Sequence, residues 1–271
     1  MNADVVIVGA GPAGIFTALE MIKKGSKQKI VMVEKGQPVE KRHCPKDKTK
    51  KCMNCKPYCH ITTGFSGAGA FSDGKLTLTT EYGGNLEDYM HKGELAKLIS
   101  YVDDVYCRYG GRDRKVYGDE FAKERHELKR KAAAADLSFI PARIRHLGTD
   151  VNGQILANMR DSLPSNVHVL CDTPVEEIRC ENGMHFISTH GETYRAKYLV
   201  AAPGRDGSEW FVEQIKKLGL RMTNNAVDIG VRVESPAEIY EPITDICYDT
   251  FTTFFGSNVM SVGIPIISTV S

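Results

Sequence analysis

The chain has 271 residues, 42% of them hydrophobic and 25% charged, enough for one large α/β domain or for one with a smaller appendage. A formal net charge of +1 leaves no electrostatic footprint for nucleic acid or an anionic membrane, so neither partner is expected. No apolar run approaches a bilayer span, and the opening VVIVGAGPAGIF has no basic lead and is broken by glycine and proline, so a cytoplasmic chain without a signal peptide is expected. In that compartment thiols stay reduced, and disulfides do not account for eight cysteines.

Val5 to Val8 form a short apolar run of the kind found in central parallel strands. Ile15, Leu19 and Ile22 then recur at helical spacing, with Gly25 placed to end the helix. Between them lies Gly9-Ala10-Gly11-Pro12-Ala13-Gly14, a G-x-G-x-x-G turn. Gly9 permits the sharp turn, Gly11 lets backbone approach a pyrophosphate, and Gly14 lets helix and strand pack closely. The phosphates would sit on unpaired N–H groups at the helix start. A second strand, KIVMVEKG, ends in Glu34 and Lys35, with Glu34 twenty residues past Gly14. A carboxylate there accepts hydrogen bonds from a ribose diol and repels a 2′-phosphate. Strand, turn, helix, strand and acid are in register for dinucleotide binding.

Cys44, Cys52, Cys55 and Cys59 follow with the spacing C-x7-C-x2-C-x3-C. Four thiolates at this spacing suit zinc or an iron–sulfur cluster, and spacing does not separate the two. His43 and His60 flank the outer cysteines and can replace one. The surrounding lysines favour thiolates. A Cys52–Cys55 redox pair, or a solvated lysine-rich loop without chemistry, are the competing readings. Cys107, Cys171, Cys180 and Cys247 are scattered and read as buried hydrophobes.

Residues 86–109 carry apolar side chains at helical spacing, and GDEFAKERHELKRKAAAADLSF reads as a charged, solvated helix. A third helix starts at Thr149 or Asp150, with Pro164 beyond its end. Val167–Cys171 is a strand, followed by a small antiparallel meander turning at Asn182-Gly183. YLVAAPGRDG is another apolar strand, ending in Ala202-Pro203-Gly204. After a helix over Trp210–Leu218, Val227, Ile229, Val231 and Val233 alternate as a half-buried strand.

This order resembles FAD-binding flavoproteins of the glutathione-reductase type, in which a late strand ends in Ala-Thr-Gly; here the threonine is replaced by Pro203. GFSGAGAFSDGKL, RHLGTDVNGQILANMR and DIGVRVESP, spread between residue 4 and about residue 240, further resemble the largely uncharacterised bacterial FAD-dependent dehydrogenases, or NAD(P)/FAD-dependent oxidoreductases. The resemblance implies a Rossmann-type FAD-binding domain over 1–82 and 146–221, a helical insertion over 83–145, and the start of a second domain over 222–271. It implies that Gly9, Gly11, Pro12, Ala13, Gly14, Glu34, Lys35, Gly67, Gly69, Val175, Ala202 and Gly204 hold FAD, Val175 through its main chain. Ser72, Asp73, Lys75 and His146 become candidates for chemistry beside the flavin, Lys75 stabilising negative charge and Asp73 or His146 moving a proton. Each also has a plainer role: Asp73-Gly74 as a turn, Lys75 on a phosphate, His146 near the start of the following helix. The family chain continues past this point and returns to the flavin domain, so a fragment or a divergent tail is expected at Ser271.

The expected activity is an FAD-dependent oxidoreductase acting on a small-molecule substrate or a nicotinamide donor, NAD(P)H. The rivals are a non-catalytic metal- and nucleotide-binding module and a simple NAD-dependent dehydrogenase. Substrate, NADH against NADPH, and oligomeric state have no signature in the sequence.

Overall fold

Four consecutive buried, mostly β-branched residues make β1 (Val5–Val8), and four more make β2 (Ile30–Val33). α1 (Pro12–Lys23) joins them, with proline at its start, where the missing N–H costs no helical bond. The structure, a computed structural model, describes residues 1–224, 236–254 and 261–265.

Past β2 the chain makes one helical turn, α2 (Lys46–Thr49), and then β3 (Lys75–Thr77). α3 (Lys92–Tyr106), β4 (Val116–Tyr117), α4 (Ala122–Ala134), β5 (Leu137–Pro141) and β6 (Ile144–His146) follow. α5 (Thr149–Asp161) leads to β7 (Val167–Leu170), then to the meander β8 (Val175–Glu181), β9 (Met184–Thr189) and β10 (Glu192–Ala196). β11 (Tyr198–Ala201), α6 (Ser208–Lys217), α7 (Glu241–Thr244), β12 (Asp249–Phe254) and β13 (Ser261–Pro265) complete the described elements. The strand expected over Val227–Val233 lies outside the described residues.

The chain divides into two units, residues 1–72 with 149–226 and residues 73–148 with 227–271. In the first, a parallel sheet runs in the order β11-β1-β2-β7. Ile7 stands opposite Met32 and Val200, so strand alternation sends two apolar faces to two different layers. One face carries α1, whose Ile15 and Ala18 are fully buried. The other meets the meander, where Ile187, Tyr194 and Ala196 pack on Val6, Val8, Val31 and Val33. The meander turns at Asn182 and Gly183, both left-handed (φ 50° and 72°), as a two-residue hairpin requires.

In the second unit β3, β6 and β4 form an antiparallel sheet, and β5, β12 and β13 form another. Arg145 on β6 grips the Asp103 carboxylate of α3 with Nε and Nη2, at 2.6 and 2.9 Å. α4 buries no residue, as its charge pattern predicts.

This division corrects the expected organisation. The segment 83–145 is not a purely helical insertion, and the tail from 222 is not separate from it. β5 pairs with β12, Phe139 opposite Thr252, because an apolar strand at the end of α4 needs a partner that the local chain does not supply. Residues 73–82 also leave the first unit, through pairing of β3 with β6. Among the scattered cysteines, Cys247 is buried, whereas Cys180 is exposed near the end of β8 and Cys107 and Cys171 are partly exposed.

Candidate functional site

The glycine turn between β1 and α1 is tight for reasons visible in its neighbours. Gly9 has φ +100°, and a Cβ there would stand 2.1 Å from the Ala202 carbonyl oxygen. A Cβ on Gly14 would meet the Gly9 carbonyl oxygen at 2.0 Å. Gly9 N–H donates to Val33 O and Ala202 N–H to Val8 O, which brings the two glycine-bearing motifs together at the carboxyl ends of the parallel strands. Gly11 is different. Its φ is an ordinary −75°, and nothing lies within 4 Å of its Cβ direction.

Gly11 lies on the wall of a cleft of about 830 Å³ in the first unit, which follows the line expected for a dinucleotide. Gly9, Gly11 and Pro12 form its floor at the start of α1, where no side chain caps the helix and the first N–H groups and the macrodipole favour an anion. Glu34 and Lys35 follow at the end of β2, with Thr173, Pro174 and Val175 after β7. Gly67 and Gly69 line the cleft from a 3-10 turn, and Ala202 and Gly204 from the end of β11. Ala13 and Gly14 stand just behind, on the first turn of α1.

Glu34 is 7% exposed and does more than face the cleft. Its Oε2 accepts the Ala10 N–H at 3.0 Å, and its Oε1 accepts those of Gly36 at 2.9 Å and Gly64 at 3.1 Å. The carboxylate thus ties the glycine turn to two later loops. Oε2, with one partner shown, keeps acceptor capacity for a ribose hydroxyl.

Several wall residues escape a sequence reading. Lys35 pairs with Asp206, whose carboxylate also accepts the Thr63 hydroxyl at 2.8 Å. The Lys35 ammonium holds the Asp206 carboxyl below the usual range, with help from Thr63. Tyr58 lines the cleft with its ring 4.9 Å from the same ammonium. Trp210 lines it too, and donates its indole N–H to Glu176 O at 3.3 Å. Beneath, buried Arg42 donates to the carbonyls of His60, Ile61 and Phe65 at 2.8, 2.8 and 2.6 Å. Burial lowers its pKa to about 10. The acid in GRDG, directly after the second glycine signature, was a signal for Asp206; Arg42 sits among lysines and had none.

The four clustered cysteines are not gathered. Among the described residues no three His, Cys, Asp or Glu side chains are arranged to hold a metal ion. Turn bonds inside the loop set its path: Thr49 N–H to Pro45 O and Lys50 N–H to Lys46 O close a helical turn between Cys44 and the other three.

The candidates for chemistry separate. Ser72 donates to Gly69 O at 2.9 Å and finishes the 3-10 turn. Asp73, Lys75 and His146 fall in the second unit, where Lys75 and His146 are register partners on β3 and β6. Lys75 lies 3.4 Å from Asp73 and 5.4 Å from the ring of Tyr248. The Tyr248 hydroxyl is 2.5 Å from His146 Nδ1, and its ring stacks on Tyr117 at 4.2 Å. Lys75, His146 and Tyr248 thus form a charged, hydrogen-bonded cluster, and sequence reasoning missed the two tyrosines because 131 residues separate them.

A parallel sheet, a glycine-rich first crossover and a cleft across the strand ends define a Rossmann-type dinucleotide-binding domain. Residues 4–43 match the family model described as FAD binding domain. The chain is 28% identical over 241 residues to an uncharacterized protein of Clostridium beijerinckii (strain ATCC 51743 / NCIMB 8052), covering 88% of this chain and 38% of that protein. Among solved structures it is similar to glycine oxidase from Geobacillus kaustophilus, with 16% identity, 81% of this chain, 59% of that one and a TM-score of 0.47. It is similar also to an L-amino acid deaminase from Proteus vulgaris lacking its specific insertion sequence, with 14% identity, 79% and 56% coverage and a TM-score of 0.45. The chain therefore spans well under half the length of the curated relative it matches. Among the described residues no helix is long and apolar enough to cross a membrane.

Proposed function

We propose that this chain carries the cofactor-binding part of an FAD-dependent oxidoreductase, a dehydrogenase that moves a hydride between flavin and a small-molecule substrate or NAD(P)H. The observation that carries the reading is Gly11. Its backbone is ordinary and no protein atom approaches its missing side chain, so the start of α1 stands open to the cleft. A residue at the start of α1 that leaves its cleft side bare fits a pyrophosphate resting on main-chain N–H groups.

FAD, when bound, supplies the ring that accepts or releases the hydride. The chain supplies position and electrostatics. The N–H groups opening α1 hold the diphosphate, Glu34 Oε2 receives a ribose hydroxyl, and the same carboxylate disfavours a 2′-phosphate. Within the second unit, taken by itself, the Tyr248 hydroxyl fixes the His146 ring through Nδ1 and leaves Nε2 to hold or release a proton.

The absorption spectrum of the purified chain tests it. After incubation with FAD and gel filtration the protein should be yellow, with bands that bleach under anaerobic dithionite and, where the donor is a nicotinamide, under NADH or NADPH. A chain that emerges colourless from millimolar FAD would overturn the proposal.

A further inference from the structure

The cysteine-rich loop is tied down at both ends. Arg42 holds the carbonyl of His60 at 2.8 Å, and the rings of His43 and His60 meet edge to face at 5.6 Å. Between these ends, among the described residues, the hydrogen bonds of residues 44–57 stay inside the loop, from Asp47 N–H on Cys44 O to the Thr49 hydroxyl on Lys51 O. Such a segment is an Ω-loop, with its ends close and its contour on the surface. Its lysines at 46, 48, 50, 51 and 56 are exposed. Tyr58 is where the loop returns to the domain. Its ring is half-buried on the wall of the large cleft, 4.9 Å from the Lys35 ammonium. It also lines a smaller cavity of about 250 Å³ that adjoins through Lys35, Thr63 and Pro174.

Which half of a bound dinucleotide this wall serves follows from the sheet. The diphosphate belongs at the start of α1, and the ribose next to Glu34 at the end of β2. Lys35, the next residue, therefore marks the adenosine half, and Tyr58 is its direct neighbour. We propose that Tyr58 is a cofactor-binding residue: its ring forms part of the adenine pocket, and the cysteine-rich loop exists to deliver it there. The loop's thiols then report on the cleft, because a nucleotide that contacts Tyr58 restrains the residue beside it, exposed Cys59. The proposal rests on the dinucleotide reading above and names a contact that this reading does not contain.

The chain supplies its own probe. Its single tryptophan, Trp210, lines the same cleft. The 271-residue chain, freed of flavin, is titrated with ADP while indole emission is followed. Saturable quenching is expected. Y58A should bind ADP about tenfold more weakly, the usual scale for removing an aromatic ring from a base, and Y58F should stay within about twofold of the parent.

A second readout does not depend on a variant folding. Iodoacetamide alkylates Cys59 when the thiolate sulfur displaces iodide from the methylene carbon, and peptide mass spectrometry follows the product. ADP should slow that labelling severalfold in the parent chain and leave Y58A unchanged. Equal ADP affinity in the parent and Y58A, a Y58F as weak as Y58A, or Cys59 labelling indifferent to ADP would each overturn the assignment. Absence of any ADP effect on Trp210 in the parent would instead remove the dinucleotide reading itself.

Discussion

Glycines 11 and 14 occupy one turn and answer to different neighbours. An added methyl on Gly14 lands 2.0 Å from the Gly9 carbonyl, in backbone that the adjoining strands hold in place. G14A should therefore lower unfolding stability by about 1–3 kcal/mol or more, read from the denaturant midpoint. The methyl of G11A meets no protein atom within 4 Å, and φ is −75° there. Its stability should change by no more than about 1 kcal/mol, while retention of FAD falls sharply. If G11A bound FAD as tightly as the parent, Gly11 would lose its ligand-facing role. These glycines and Glu34 were legible because a turn, its helix and the acid after the next strand lie within one short segment whose geometry is local. The network of Glu34 with Gly36 and Gly64 was not, since the acid's usual task gave no hint that its oxygens also serve main-chain donors.

In the loop from His60 to Phe65 one guanidinium holds three carbonyls. Arg42 gives Nε to His60 O, Nη2 to Ile61 O and Nη1 to Phe65 O, and packs over the Phe71 ring at 4.8 Å. R42M would leave three carbonyls without this donor and should cost about 3 kcal/mol or more in chemical unfolding. R42K should not restore the loss, because an ammonium has no planar fork to reach three carbonyls in different directions. Full recovery in R42K would mean that charge alone holds this loop. The cysteine segment just before it carries the opposite lesson about legibility. C-x7-C-x2-C-x3-C states which thiols a loop can gather, whereas the path of the loop is set by turn bonds at Pro45–Lys50 and by the anchoring of His60, neither of which the spacing encodes.

Across the molecule, every residue of the cleft lies in segments 1–72 and 149–226, and every strand of the two antiparallel sheets that include β5 and β6 lies in the other unit. A chain ending at Asn224 should keep ADP-dependent quenching of Trp210 within about twofold of the full chain, because its cleft is intact. It should also lose the partner of Leu137–Pro141, leaving an open apolar edge that lowers the thermal transition of that unit and promotes association. Loss of ADP binding in the shortened chain would show that the cleft depends on residues beyond its own unit.

By itself the sequence determined the first crossover with its glycine turn, the meander with its Asn-Gly turn and the solvated helix over 122–134. These follow from alternation, helical spacing and turn chemistry, which act over a few residues. Only the tertiary structure decided that Ala202 closes on Gly9, that Asp206 reaches Lys35, that Tyr248 meets His146, and that strand 249–254 completes the sheet begun at 137–141. Those partners are separated by more than a hundred residues, and what joins them is the need to pair buried backbone and charge, a condition of the whole fold that local sequence does not encode.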